Sequence, residues 1–444
     1  MKKILISIIT GGVLIGFVWT AVFYWQNLRG IWPALRAPSK NIVDLIERPP
    51  LTPSANPSSR NSSPPPPAQN NTGIPLKLPP GFSISIFAKN LSGARVMAFS
   101  PVGNMAVSRT SAGVITILEV QDGKVVNQYD YLKNLRKPHG LAFDSSTDSE
   151  LFYYAEEDKI SFVSISSTRI PQKIADLPKG GGHFTRTLGF GPDKRLYVSI
   201  GSSCNVCIEK DERRAKIFSM NKDGSDFKEF ARGLRNAVFF TWHPKTQKMW
   251  ATEMGRDLIG DDIPPDEINI VEEGNPSTGL WVKNYGWPNC YGQNVHDTDF
   301  DKNTYIRNPC MEPFETSSYI DIPAHSAPLG LAFIPASDPW SKEYWNNLLV
   351  SYHGSWNRTT PTGYKVVRYK LDENGNYQGA VPAQEDFITG WLTPLESFSL
   401  TGQAPDKKEA LGRPVDIVIH ENAIYISDDK AGVIYKITIA KSSI

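Results

Sequence analysis

Between Glu253 and Glu267 the chain carries six acidic residues, Glu253, Asp257, Asp261, Asp262, Asp266 and Glu267, set among glycines and prolines. Gly and Pro break helices and strands, so the stretch reads as a loop. Its carboxylates and free peptide carbonyls are the oxygens that a hard cation such as Ca²⁺ gathers. The spacing is not that of an EF-hand, and the plain alternative is a solvated acidic surface loop. The neighbourhood favours the cation. Gly233-Leu234-Arg235-Asn236 forms a turn just before the apolar Ala237-Val238-Phe239-Phe240, so Arg235 and Asn236 are expected to project beside the loop. A guanidinium next to a bound metal suits an anionic ligand.

Four of the seven histidines stand beside or within three residues of Gly or Pro at strand ends. His139 precedes Gly140-Leu141-Ala142-Phe143, and His183 ends Gly180-Gly181-Gly182-His183. His325 comes before Pro328-Leu329-Gly330, and His353 opens His353-Gly354-Ser355-Trp356-Asn357-Arg358. Arg413, in Gly412-Arg413-Pro414-Val415-Asp416, adds a further cation. A lone histidine is more often structural, but four in register around a ring point to a site. His183 is the candidate general base, because imidazole titrates near neutrality and the glycines permit close approach. His243, before Pro244 in a hairpin turn, is set aside.

The elements that must position these residues repeat. A short apolar run, a turn and a second β-rich run recur six times, at 96–101/105–108, 140–144/151–154, 187–192/196–201, 238–244/249–252, 330–335/348–352 and 415–419/423–428. The first four copies lie about 45 to 50 residues apart, the period of a propeller blade. No long amphipathic helical period interrupts them. The expected fold is all-β, a six-bladed β-propeller over residues 78–444, with the candidate residues gathered at one mouth of the central channel. A pair of β-sandwiches fits the spacing less well.

Lysine plus arginine (47) nearly balance aspartate plus glutamate (46), which leaves no electrostatic footprint for nucleic acid. Met1-Lys2-Lys3 precedes an apolar run from Ile4 to Trp25 that is long enough to span a bilayer. The expectation is a signal-anchor, a transmembrane helix over residues 1–28, placing the domain outside the cytoplasm on the membrane surface. Residues 29–77, rich in Pro, Ser and Asn, read as a disordered spacer holding the domain away from the membrane. Four cysteines, Cys204 and Cys207 in a C-x-x-C and Cys290 with Cys310, favour two disulfides over a zinc site or a redox pair.

Taken together, these motifs resemble the soluble pyrroloquinoline quinone (PQQ)-dependent sugar dehydrogenases, and among them the glucose and L-sorbosone dehydrogenase-like proteins. The resemblance rests on Gly180-Gly181-Gly182-His183 with Arg186, Gly233-Leu234-Arg235-Asn236, and the acidic loop ending Asp266-Glu267-Ile268-Asn269. It also rests on Asn284-Tyr285-Gly286-Trp287-Pro288, the run from His353 to Arg358, and Gly412 to Asp416. It covers residues 78 to 440.

The resemblance implies that His183 takes the hydroxyl proton while hydride passes to the quinone, with Arg235 and Asn236 at the quinone oxygens. It implies that peptide carbonyls of Gly255 and Arg256 hold a Ca²⁺, and that Glu253, Asp266, Glu267 and Tyr285 serve a metal nearby. Arg413 would meet a cofactor carboxylate, and His139, His325, His353 and Arg358 would complete the cofactor-binding rim. The implied substrate is an aldose, a sorbosone-like sugar or another polyhydroxy aldehyde, and the implied electron acceptor a quinone or cytochrome. Two departures stand out: the glucose enzymes carry a lysine where this chain has the His353–Arg358 run, and Arg256 stands where they have proline, in a longer loop. The rival functions are a Ca²⁺-dependent propeller lactonase, which needs no arginines at its mouth, and a non-catalytic binding propeller.

Overall fold

The computed structural model describes residues 2–28, 30–38, 42–47, 65–144, 151–165, 170–275, 277, 279–377, 382–394 and 408–440, with side chains from Gly12 onward. Each of the six sequence repeats forms the two innermost strands of one sheet. The innermost strands are Ala94–Phe99, Leu141–Asp144, Leu188–Phe190, Phe239–Trp242, Pro328–Phe333 and Pro414–His420. Each pairs antiparallel with the next strand of its own sheet, and two or more outer strands follow. The fold is a six-bladed β-propeller.

The repeats are short because each strand crosses only one blade, and they are apolar because the middle strands are covered on both faces. Leu196–Ile200, Met249–Glu253 and Leu348–Tyr352 are buried at every position. The ring closes through the chain's early residues. Phe82–Ala88 pairs antiparallel with Val433–Ile439, so the last blade is finished by a strand from the front of the domain.

Hydroxyls on these inner strands tie successive blades together. Thr187 donates to the Val238 carbonyl, Thr252 to that of Leu329, Ser351 to that of Val415 and Ser427 to that of Arg95. The last of these spans the closure between the sixth blade and the first. These hydroxyls are buried, so each latch satisfies a donor and an acceptor that water cannot reach.

The N-terminal region departs from expectation. Helix α1 spans Lys2–Asn27, α2 Trp32–Leu35 and α3 Ile42–Ile46. Among the described residues no helix is long and apolar enough to cross a membrane, and the side chains of the first residues of the expected anchor lie outside them. Residues 29–77 are not a continuous spacer. Leu45 joins a hydrophobic cluster with Ile74, Leu76 and Trp391, and Gln69–Asn71 adds a parallel strand beside Phe82–Ala88. The folded part therefore starts before residue 78. The physical reason is that Leu45, Ile74 and Leu76 are apolar residues scattered in a polar, Pro-rich stretch, each with a hollow to fill on the last two blades. The most Pro-rich run, 48–64, lies outside the described residues.

Candidate functional site

Second strands end, and first strands begin, at the same face of the ring. His139, His183, Arg235, Asn236, His325, His353 and Arg413 all occupy those positions, so the structure brings the candidates to one mouth. It then sorts them by what their polar atoms already hold.

Arg235 is buried, and all five of its N–H donors are engaged. Nε donates to the Asn205 carbonyl (2.8 Å), and Nη1 to the carbonyls of Met254 (3.1 Å) and Gly255 (2.9 Å). Nη2 reaches Asn205 Oδ1 (3.0 Å) and Asp257 Oδ2 (3.3 Å). A guanidinium has no further donor. The expected hydrogen bonds from Arg235 to a cofactor are therefore replaced by a cationic plane clamped between the C-x-x-C loop and the acidic loop. Asn236 donates its backbone N–H to Glu253 Oε1 (2.8 Å). Its side-chain Oδ1 would lie 2.6 Å from a Cβ at Gly201, and His183 Cβ 2.7 Å from that same atom. Glycine at 201 is what lets Asn236 and His183 converge.

His183 is half-buried, with Nδ1 at 3.0 Å from the Ser202 carbonyl and 2.8 Å from its hydroxyl. The Ser202 hydroxyl itself donates to the Cys204 carbonyl. The tautomer assigned from this network puts the proton on Nδ1, leaving the Nε2 lone pair to the mouth. Burial, then the Arg235 charge, pushes the imidazole pKa down to about 3. Sequence reasoning expected a group titrating near neutrality; desolvation beside cations makes it a persistent free base instead. Arg186 underlies it, wholly buried and donating to the carbonyls of His183, Thr185 and Pro178.

The other expected rim residues are spent differently. His139 lies fully buried beneath the mouth, with Nδ1 near the Thr187 hydroxyl and Nε2 without a partner among the described residues. His325 Nε2 pairs with the Gly260 carbonyl (2.7 Å), and His353 Nε2 with Asp429 Oδ1 (2.9 Å). Arg358 donates to the Ala324 carbonyl and to Asp262, so it ties loops together rather than presenting a free fork. Arg413 is the open cation. Its Nε and Nη2 hold the carbonyls of His353 and Gly354, and among the described residues Nη1 donates to none.

Glu253 and Glu267 face each other directly across neighbouring strands. Both are buried, and among the described residues Glu253 Oε2 has no partner. Like charges so placed repel, and an unpaired buried carboxylate oxygen costs more. Desolvation followed by the Glu267 charge raises the Glu253 pKa well above its usual range, and desolvation lifts Glu267 to about 7. A cavity of about 20 Å³, lined by Glu253, Gly255, Glu267 and Trp287, adjoins them. This donor set fits a small hard cation. Asp266 accepts backbone N–H bonds from Gly255 and Ala327 on its two oxygens. One expected ligand differs: the Tyr285 phenol oxygen is taken by Ile270 and Glu272. The Arg256 side chain pairs with Asp297, which leaves the expectation for its peptide carbonyl untouched.

Three residues escaped the sequence reading. Asn205, with Asp257 of the acidic loop, links the C-x-x-C loop to Arg235, while Arg95 and Asp429 form an ion pair (2.7 Å) beside His353. The register supplied a signal for Arg95, which holds the strand position that Leu329 and Val415 hold in other blades. The cysteines pair as expected, Cys204 with Cys207 and Cys290 with Cys310.

Known proteins share this architecture. A solved pyranose dehydrogenase PQQ domain from Coprinopsis cinerea, in holo form, is 20% identical, with a TM-score of 0.64 over 84% of this chain and 99% of that one. A Trichoderma reesei Carbohydrate-Active Enzymes Family AA12 structure is 20% identical, with a TM-score of 0.66 over 83% of this chain and 98% of that one. At these identities the likeness is one of fold. In sequence, a Coprinopsis cinerea PQQ-dependent pyranose dehydrogenase is 25% identical over 57% of this chain, which spans only 39% of that relative's length. An uncharacterized protein of Borreliella burgdorferi is 30% identical over 82% of this chain and 91% of its own. A family model described as TrAA12-like matches residues 76–440, and the chain belongs to that family.

Proposed function

We propose that the protein is a PQQ- and Ca²⁺-dependent oxidoreductase acting on an aldose or related polyhydroxy aldehyde. The carrying observation is His183, oriented by Ser202 and kept a free base by burial beside Arg235, in a mouth that also offers an open arginine and an orphaned carboxylate. PQQ bound with Ca²⁺ would supply hydride acceptance and Lewis-acid polarisation of its reactive carbonyl.

The chain's own residues do the rest. His183 Nε2 takes the substrate hydroxyl proton, and its Nδ1–H stays anchored on Ser202. Arg413 Nη1 binds a carboxylate of the cofactor. Arg235 orients the Met254 and Gly255 carbonyls and contributes its charge from behind. Glu253 and Glu267 bind a cation that removes their mutual repulsion. The named Coprinopsis relative supports the cofactor assignment, and the two disulfides support an oxidising compartment outside the cytoplasm. Helix α1 serves as the membrane anchor in this reading, and a quinone or cytochrome collects the electrons.

The test is a titration of the full chain with PQQ and Ca²⁺, following the quinone absorbance as aldoses and sorbosone are added. Stoichiometric, Ca²⁺-dependent binding with sugar-driven bleaching that vanishes in His183→Ala is the expected result. Absence of binding at micromolar PQQ overturns it in favour of a lactonase or a binding propeller.

A further inference from the structure

The segment after α1 is fastened to the mouth itself. A Cβ at Gly30 would fall 1.5 Å from the Arg358 carbonyl oxygen, so the backbone there rests directly on the rim. Lys430 Nζ donates to the carbonyls of Pro33 (3.4 Å) and Arg36 (2.9 Å) from beside Asp429. Helix α1 ends at Asn27. Three residues of chain reach about 10 Å at most, so the end of α1 lies close to the mouth and cannot be moved to the far side.

That face also carries an apolar collar. Trp32 (56% exposed) and Leu35 (70%) stand on the strap, Ile208 (73%) beside Cys207, Leu258 (38%) and Ile263 (46%) on the acidic loop, and Trp356 (38%) after His353. These loops are bonded to one another: Asn205 and Asn357 both reach Asp257, and the Thr359 N–H reaches Asp261. The collar residues thus stand on loops tied together at one face, and α1, where Leu14, Phe17 and Trp19 are at least 64% exposed, runs from the strap on that face. An apolar rim beside an apolar helix suits a bilayer, with tryptophans at the headgroup level. One rim cation, Arg358, is paired with Asp262 (2.6 Å).

We propose that the mouth face is a bilayer-docking surface, with α1 inserted and the collar seated in the headgroup region, so that the mouth opens onto the membrane surface. This rests on the anchor assigned above and not on the redox chemistry. All four native cysteines are in disulfides, so single nitroxide labels can be placed at Ile263→Cys, Trp356→Cys and, on the opposite face, Val102→Cys. The full-length chain is reconstituted in phosphatidylcholine vesicles and collisions with oxygen and a water-soluble nickel chelate are compared. Oxygen-to-nickel ratios several-fold higher at 263 and 356 than at 102 are expected. Equal ratios in a chain that floats with vesicles overturn docking but leave the anchor. A chain that does not float overturns both. Spectral broadening at 263 that disappears on dilution with unlabelled chain reassigns the collar to self-association and also overturns the proposal.

Discussion

Asn205 holds Arg235 from two sides, its carbonyl on Nε (2.8 Å) and its side-chain Oδ1 on Nη2 (3.0 Å), from within the small ring closed by Cys204 and Cys207. The same Oδ1 accepts the Asp257 backbone N–H at 2.7 Å. Hydrogen bonds to a charged group contribute about 1.5–3 kcal/mol each. Asn205→Ala is expected to weaken cofactor binding ten-fold or more and to lower the thermal midpoint by a few degrees, as read by calorimetric PQQ titration and a thermal scan. Cys204→Ser with Cys207→Ser should move affinity the same way by freeing the ring. If neither changes affinity, the clamp on Arg235 has no bearing on the cofactor.

His183 predicts an unusual acid limb. Only the unprotonated imidazole accepts a proton, and the folded-state pKa is about 3 against an ordinary 6.5. The limb in kcat/KM from this group should therefore lie near pH 3, and a break near 6.5 would assign the base elsewhere. The stability sign follows. Between those two values the unfolded chain binds a proton that the folded chain refuses, so acidification through this window favours unfolding. His183→Gln should lower kcat by about 10²–10⁴-fold, the usual worth of a general base, with PQQ affinity largely kept.

The Glu253–Glu267 pair predicts a reversal of sign. In Ca²⁺, Glu253→Gln removes a ligand and should lower the melting temperature. In chelator it removes the like-charge repulsion, and should leave the melting temperature equal to or above that of the wild-type chain. Differential scanning calorimetry under both conditions checks this. A loss of equal size in both makes the carboxylate merely structural.

The blade latches are testable without any ligand. Thr252→Val keeps the shape but strands the Leu329 carbonyl. The expected cost is about 1–3 kcal/mol, seen as a lower urea midpoint at unchanged m-value. Val102→Ala, on an exposed hairpin, should stay within about 0.5 kcal/mol.

The propeller was legible because each repeat pairs a short apolar strand with a second one across a turn, and every repeat became an inner hairpin. The site was half legible. Spacing located Arg235, His183 and Glu253, because Gly and Pro mark loop ends whatever the tertiary context. It did not show that Arg235 has all its donors engaged, since Asn205 lies 30 residues earlier and its partners meet only once two blades stand side by side. Nor did composition reveal a mouth rimmed by Arg95, Arg413 and Lys430, because acidic residues elsewhere bring the net charge to +1.

The Pro-rich run from 48 to 64 begins just after Glu47, which pairs with Lys89, and leads to Gln69–Asn71 beside Phe82–Ala88. Both of its ends are thus fixed on the same blade. Because the described residues on its two sides are both held to that blade, the height of the domain above a membrane is not set by the length of this run. Doubling the length of such a loop costs only about 0.6 kcal/mol of closure entropy. Repeat expansion, deletion or an inserted affinity tag in this run should therefore be tolerated without changing the domain's position, whereas a single residue added between Asn27 and Gly30 should disturb it.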